Sequence, residues 1–257
     1  MSGIAQSNRP HATGAGLLRS IGFARLLLLV VAITPGAADA GGIGGSLSYA
    51  RNQSKLDDTD DVWADLQTES DSVGFGLIFD SNLAKDRLFN YRLNASLEFV
   101  DEEVGQAGLE NQVQGTNFSF DQTFGFGIVR TPDVRVFLGP SLHLGVGRID
   151  DHIRVIGTRV DYERTSFTAG LGPELGVNFN IGRHLTLSTS GYVRYGLQLQ
   201  AFNRFYDESG SDGVFVGGDL RAGVVTSIFF RFDGDQFRPD GSLEGAPTRR
   251  DRRSRRY

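Results

Sequence analysis

From Leu88 to Val100 the chain alternates without a slip. Phe89, Tyr91, Leu93, Ala95, Leu97 and Phe99 take the odd positions, and Asn90, Arg92, Asn94, Ser96 and Glu98 lie between them. A period of two sends successive side chains to opposite faces, so the segment predicts a β-strand with one apolar and one polar face. It exceeds the roughly 9–11 residues that a tilted strand needs to cross a bilayer. Seven further segments repeat the pattern, at 43–51, 72–80, 116–129, 134–148, 166–181, 185–199 and 216–232. Short links at 81–87, 130–133 and 182–184 carry the turn residues Pro132, Asp133 and Gly182. The other links, 52–71, 101–115, 149–165 and 200–215, are longer, polar and acid-rich, and are expected to be loops. Short turns on one side and long loops on the other are the asymmetry of membrane barrels, and an even strand count puts both ends of the barrel on the short-turn side, in the periplasm.

The volume of the two faces decides which one looks outward. Eight strands leave a lumen just wide enough to be filled by side chains, and roughly 40 large apolar residues would overfill it. The opposite face, mostly Gly, Ser, Asn and Thr, fits such a lumen. The apolar face is therefore expected to meet lipid, and a soluble lipocalin-like barrel, with its apolar face inside, is the less favoured arrangement. Pro140 and Pro173 sit in the near-repeats LGPSLHLG and LGPELG on the apolar phase. Proline supplies no ladder donor, so a bulge or a local break in pairing is expected at each.

Composition sharpens this picture. The chain has 257 residues, no Cys, one Met, one Trp, 34 Gly and 19 Phe. No Cys means no disulfide framework and no thiolate metal site. No run of 18 apolar residues indicates a spanning helix. The mean hydropathy of −0.21 hides the strands, because every second residue in them is polar. At the N-terminus Arg19 and Arg25 precede the apolar run 26–33, Pro35-Gly36 breaks it, and Ala38-Asp39-Ala40 fits a cleavage site. Residues 1–40 read as a cleaved signal peptide, 41–232 as the barrel, and 233–257 as a disordered basic periplasmic tail. The tail has seven Arg against five acids and residues 1–40 three Arg against one Asp, so the body is strongly acidic, which argues against nucleic acid.

Export signal, eight strands, short inner turns and long outer loops together resemble the small outer-membrane barrels of the OmpA/OmpX kind. Ile228, Phe230 and Phe232 alternate to a terminal aromatic and look like the assembly signal of such proteins, although 25 residues follow Phe232 here. The resemblance covers residues 41–232 and speaks for architecture more than function. It implies an all-β fold, an eight-stranded antiparallel up-and-down transmembrane β-barrel, in the bacterial outer membrane. Its expected partners are outer-membrane lipids including lipopolysaccharide and the outer-membrane assembly machinery, with peptidoglycan or anionic lipid for the basic tail. A monomer is expected.

Candidate chemistry lies on the inward phase. Arg92, Glu98, Asp121, Arg135, Glu174, Arg194, Asp219, Arg221 and Arg231 are nearly balanced in charge, and buried charges must pair and hydrogen-bond. They read as an ion-pair network filling the lumen, or alternatively as the selectivity groups of a narrow channel. A lipid A-modifying enzyme is the least supported reading. Deacylases of this architecture carry His-x-Ser, whereas this chain has Ser141-x-His143, reversed and facing inward. No catalytic residue, cofactor or metal site is assigned. His152 and His184 stand apart, and the acids at 57–61 with Asp65 and Glu69 lack the EF-hand spacing, so they read as solvated or as sharing divalent cations with lipopolysaccharide phosphates. Trp63, Phe202, Phe205 and Tyr206 read as interfacial aromatics.

Overall fold

The computed structural model describes residues 41–58, 66–83, 88–106, 109–155, 158–182, 184–204 and 213–232. The signal-peptide and tail assignments, Trp63, Asp65 and the side chains of His152, Phe202, Phe205 and Tyr206 lie outside the described residues. Eight strands form the fold: β1 Gly42–Asp58, β2 Leu66–Asp80, β3 Phe89–Gln106, β4 Leu109–Arg130, β5 Val134–Val155, β6 Thr158–Ile181, β7 Leu185–Arg204 and β8 Gly213–Arg231. Each pairs antiparallel with its sequence neighbours, and β8 closes on β1. Pairing followed from Ser48 through Gly74, Glu98, Asn117, Gly147, Ser166, Gln200 and Phe215 leads back to β1 at Asp58, ten residues further along. Rungs therefore climb towards the long-hairpin end as they circle the barrel, as strand tilt in a closed sheet requires.

Closure sorts the two phases as the volume argument expects. Phe75, Leu77, Phe89, Phe99, Leu171, Leu197 and Phe230 point outward and are exposed, whereas the interleaved Ser48, Asn94, Ser119, Thr123 and Ser188 are buried inside. The tight β6–β7 turn needs Gly182, whose φ of 61° lies in the left-handed region.

The expected loops are corrected. Much of 52–71, 101–115, 149–165 and 200–215 continues as paired strand, as in Glu102↔Ser70 and Gln200↔Phe215. On β1 to β5 the apolar phase inverts where these extensions begin, whereas on β7 and β8 the outward face stays apolar up to Ala201 and Val214. In the membrane part the outward residues are apolar apart from Gln122, Thr189 and Thr226. Beyond Arg51, Asp71 and Asp101 the outward positions turn polar, and Leu56, Leu66, Val113, Ile149 and Phe215 turn inward and are buried. Outside the bilayer the outer face meets water, so the apolar side chains belong in the core. A single-phase count therefore stops at the membrane boundary and misreads the rest as loop.

Pro140 and Pro173 stand directly opposite each other across β5–β6. On their other sides the ladders are interrupted. β4–β5 pairing skips from Thr123↔Ser141 to Phe126↔Leu138, and β6–β7 skips from Leu171↔Tyr195 to Glu174↔Tyr192. The register is the same on both sides of each gap, so these are local breaks without a bulge. The register shift in β4–β5 lies elsewhere, between Gly127 and Val129. A residue in an antiparallel strand directs its N–H and C=O to the same neighbour, so the missing proline donors account for gaps towards β4 and β7. Gly139 and Gly172, each preceding a proline, pass so close to the facing strand that a Cβ would stand 1.9 Å from the carbonyl oxygen of Phe124 or Val193.

Candidate functional site: the barrel lumen

The nine charged residues expected to face inward are all buried. They gather into layers, and Tyr192 joins two of them by stacking on Arg194 and accepting from Arg221 Nε at 3.3 Å. Towards the short-turn end, Arg92 pairs with Asp80 at 2.9 Å and donates to Asn178 Oδ1 at 2.9 Å. Its guanidinium lies 4.5 Å from the Phe137 ring centroid and 5.4 Å from that of Phe229. Arg231 donates to the Gly182 carbonyl and Arg135 to the Leu88 carbonyl, so both tie the barrel rim to its turns.

The middle layer is built around Arg194. Its Nη1 donates to Asp121 Oδ1 at 2.5 Å, its Nη2 to Glu174 Oε2 at 3.2 Å, and Nε and Nη2 both reach Ser141 Oγ. Tyr192 stacks on the same guanidinium at 3.7 Å. Thr123 donates to Glu174, and His143 Nδ1 lies 2.8 Å from Asp121. Just above, Arg221 donates to Glu98 at 2.5 Å, and Asn117 and Ser119 donate to the same carboxylate. Higher again, Asp219 accepts from Ser54, and Arg164 pairs with Glu102 at 2.5 Å. Each buried carboxylate thus meets an arginine or a hydroxyl, the arrangement that buried charge requires.

Apolar groups flank the layers of Arg194 and Arg221. Ile78, Leu83 and Phe229 cluster at the short-turn end, with Phe137 also fully buried. Leu56, Leu66 and Phe215, with Val104 against them, cluster at the other end. Between them, the space beside Arg92, Asp121, Glu174 and Arg194 amounts to about 10 Å³, room for one water.

Asp121, His143 and Thr168 form a chain, since His143 Nε2 lies 3.3 Å from Thr168 Oγ1. Ser141 is not part of it, because its oxygen accepts from Arg194. The Ser141-x-His143 pair therefore does not meet as nucleophile and base. Among the described residues no group of three or more His, Asp or Glu is arranged to hold a metal ion.

Sequence reasoning missed Asp80, Glu102 and Arg164 as ion-pair partners and the apolar residues that turn into the lumen. A signal for the latter exists. In Leu77-Ile78-Phe79, Val136-Phe137-Leu138 and Ile228-Phe229-Phe230 the alternation is filled in, and in each the middle residue is buried inside. Ile228, Phe230 and Phe232, expected to form the assembly signal, all face outward.

No family model matches the chain, and no curated protein matches it. Solved structures do. The outer membrane protein OprG from Pseudomonas aeruginosa is 12% identical over 75% of this chain and 95% of its own, with a TM-score of 0.56. Neisserial surface protein A is 14% identical over 70% and 95%, with a TM-score of 0.28. A major outer membrane protein from Thermus thermophilus is 14% identical over 73% and 99%, with a TM-score of 0.39. With an outward apolar wall, a closed ring of eight antiparallel strands and OprG as a structural neighbour, the chain has the fold of the small eight-stranded bacterial outer-membrane barrels.

Proposed function

We propose that the protein is a non-conducting, non-enzymatic outer-membrane barrel whose lumen is a structural core and whose work is done at its surfaces. The observation that carries this reading is the order of groups along the lumen: the cluster of Ile78, Leu83 and Phe229 with Arg92 and Asp80 at its level, the ion pairs of Arg194 and Arg221, and the cluster of Leu56, Leu66 and Phe215. An ion entering would lose its hydration against Leu56, Leu66 and Phe215 and then meet arginines and carboxylates already bonded to one another. The same order counts against the narrow-channel alternative. Burial of Asp121, His143 and Thr168, and the engagement of Ser141 by Arg194, count against a lipid A-modifying enzyme.

Residues 1–40 serve export in this reading, and Ile228, Phe230 and Phe232 address the chain to the outer-membrane assembly machinery. The Arg-rich tail contacts anionic lipid headgroups or peptidoglycan by charge. The outward acids at the outer interface, Glu69, Asp71, Asp101 and Glu103, share divalent cations with lipopolysaccharide phosphates. Refolded protein, shown to be inserted in a planar bilayer, should pass no current across salt and voltage. Discrete, reproducible conductance steps would overturn the closed-lumen reading.

A further inference from the structure

The outward apolar wall changes height abruptly where β8 meets β1. On β1 it runs from Ile43 through Leu47 to Tyr49, and Arg51, Gln53, Lys55 and Asp57 follow on the same face, all exposed. On β7 it runs from Leu185 to Ala201 and on β8 from Val214 to Phe232, with no charged residue on the outward phase of either. At roughly 3.3 Å per residue and a tilt near 40°, the β1 run rises about 15 Å and the β7 run about 40 Å. A membrane barrel usually presents a band of about 25 Å. The mismatch forms a cliff at the β8–β1 seam, where Gln53, Lys55 and Asp57 lie beside Leu220, Gly218 and Val216.

Neither barrel tilt nor bilayer thickness answers both sides of the seam, because β8 and β1 are neighbours. With the outer interface set by Arg51, Asp71, Asp101 and Arg148, the upper β7–β8 wall stands above the lipid. There it presents Leu199, Ala201, Val214 and Val216 to water or sugar. Association is one of the known answers to such a mismatch. A lateral partner must carry its own apolar surface at the same height above the bilayer, and a second copy meets that condition automatically. Ala201 and Gly218 on this upper part of the wall are small, which leaves room for close approach, and a Cβ at Gly218 would stand 2.8 Å from the Tyr195 hydroxyl.

We propose that the upper β7–β8 face is an isologous dimer interface between two copies of this chain, with its two-fold axis along the membrane normal. It replaces the monomer expected from the family resemblance and is independent of whether the lumen conducts.

The absence of Cys makes a direct test possible. Single variants Leu199→Cys, Val216→Cys and, on the far side, Leu97→Cys are inserted in bilayers and oxidised. Leu199→Cys and Val216→Cys should give a band of twice the monomer mass, and Leu97→Cys should stay monomeric. Val216→Asp, with heat-modifiable mobility retained as proof of folding, should convert dimer to monomer in sedimentation. Monomeric bands from both β7–β8 variants, equal cross-linking at Leu97→Cys, or a folded monomer with lipopolysaccharide retained on this face would each overturn the proposal.

Discussion

Arg194 organises the middle of the lumen, reaching Asp121, Glu174 and Ser141 from one guanidinium. Removing one member of such a buried group leaves uncompensated charge, at a cost of about 3–5 kcal/mol. Arg194→Ala should therefore lower the urea midpoint in vesicles with little change in slope. A midpoint equal to the parent's would mean that other groups hold Asp121 and Glu174. Glu102 lies in the extension above the membrane. Burial raises its carboxyl above the ordinary glutamate value, against the opposing pull of Arg164. A carboxyl raised on folding contributes stability that is complete below its unfolded value and is lost as the pH rises through the folded one. Glu102→Gln should therefore flatten the fall in stability from about pH 4 upward. A fall of the same size in the variant would assign the pH dependence to another group.

At the scale of elements, the ladder gaps beside Pro140 and Pro173 are weak places in an otherwise continuous sheet. Pro140→Ala or Pro173→Ala returns an N–H facing β4 or β7, and one regained hydrogen bond is worth about 0.5–1.5 kcal/mol. Amides at 124–125 or 193–194 should then exchange more slowly. Unchanged exchange would show that the backbone path at Gly139 and Gly172, rather than the missing donor, keeps these residues out of the ladder. The inverted phase of the extensions carries its own expectation. Leu56, Leu66 and Phe215 are a small core in the ordinary soluble sense, so Phe215→Ala should cost about 3–5 kcal/mol. It should also make the upper hairpins susceptible to protease added from outside, with the membrane part still protected. Protease resistance equal to the parent's would mean that this cluster does not hold the extension together.

For the whole molecule, the proposed closed lumen has more than one barrier, an apolar cluster at each end and ion pairs between them. Phe215→Ala or Phe229→Ala alone should leave the bilayer current at zero, because the ion pairs and the other apolar cluster remain. A current from either single variant would locate the barrier in that one cluster and remove the need for the buried pairs. Redundancy also separates the two surfaces of the protein. Lipid-facing residues and those of the proposed interface can change without opening the barrel, so the oligomeric state and conductance are independently testable.

Strand number, the phase of each membrane segment and the outward apolar face were legible in the sequence, because bilayer and lumen impose opposite polarity on alternate residues. The nine inward charges followed from the same period. The prolines announced a disturbed ladder, because a missing donor is a property of the residue itself. Only the tertiary structure decided which charges meet, since Arg194 reaches Asp121 across 73 residues and Arg221 reaches Glu98 across 123. It also decided that the extensions are strand rather than loop, because a phase is meaningful only once the level of the membrane is known. The cliff at the β8–β1 seam arises the same way. It depends on the ten-residue climb of the rungs, which belongs to the closed ring and to no single strand.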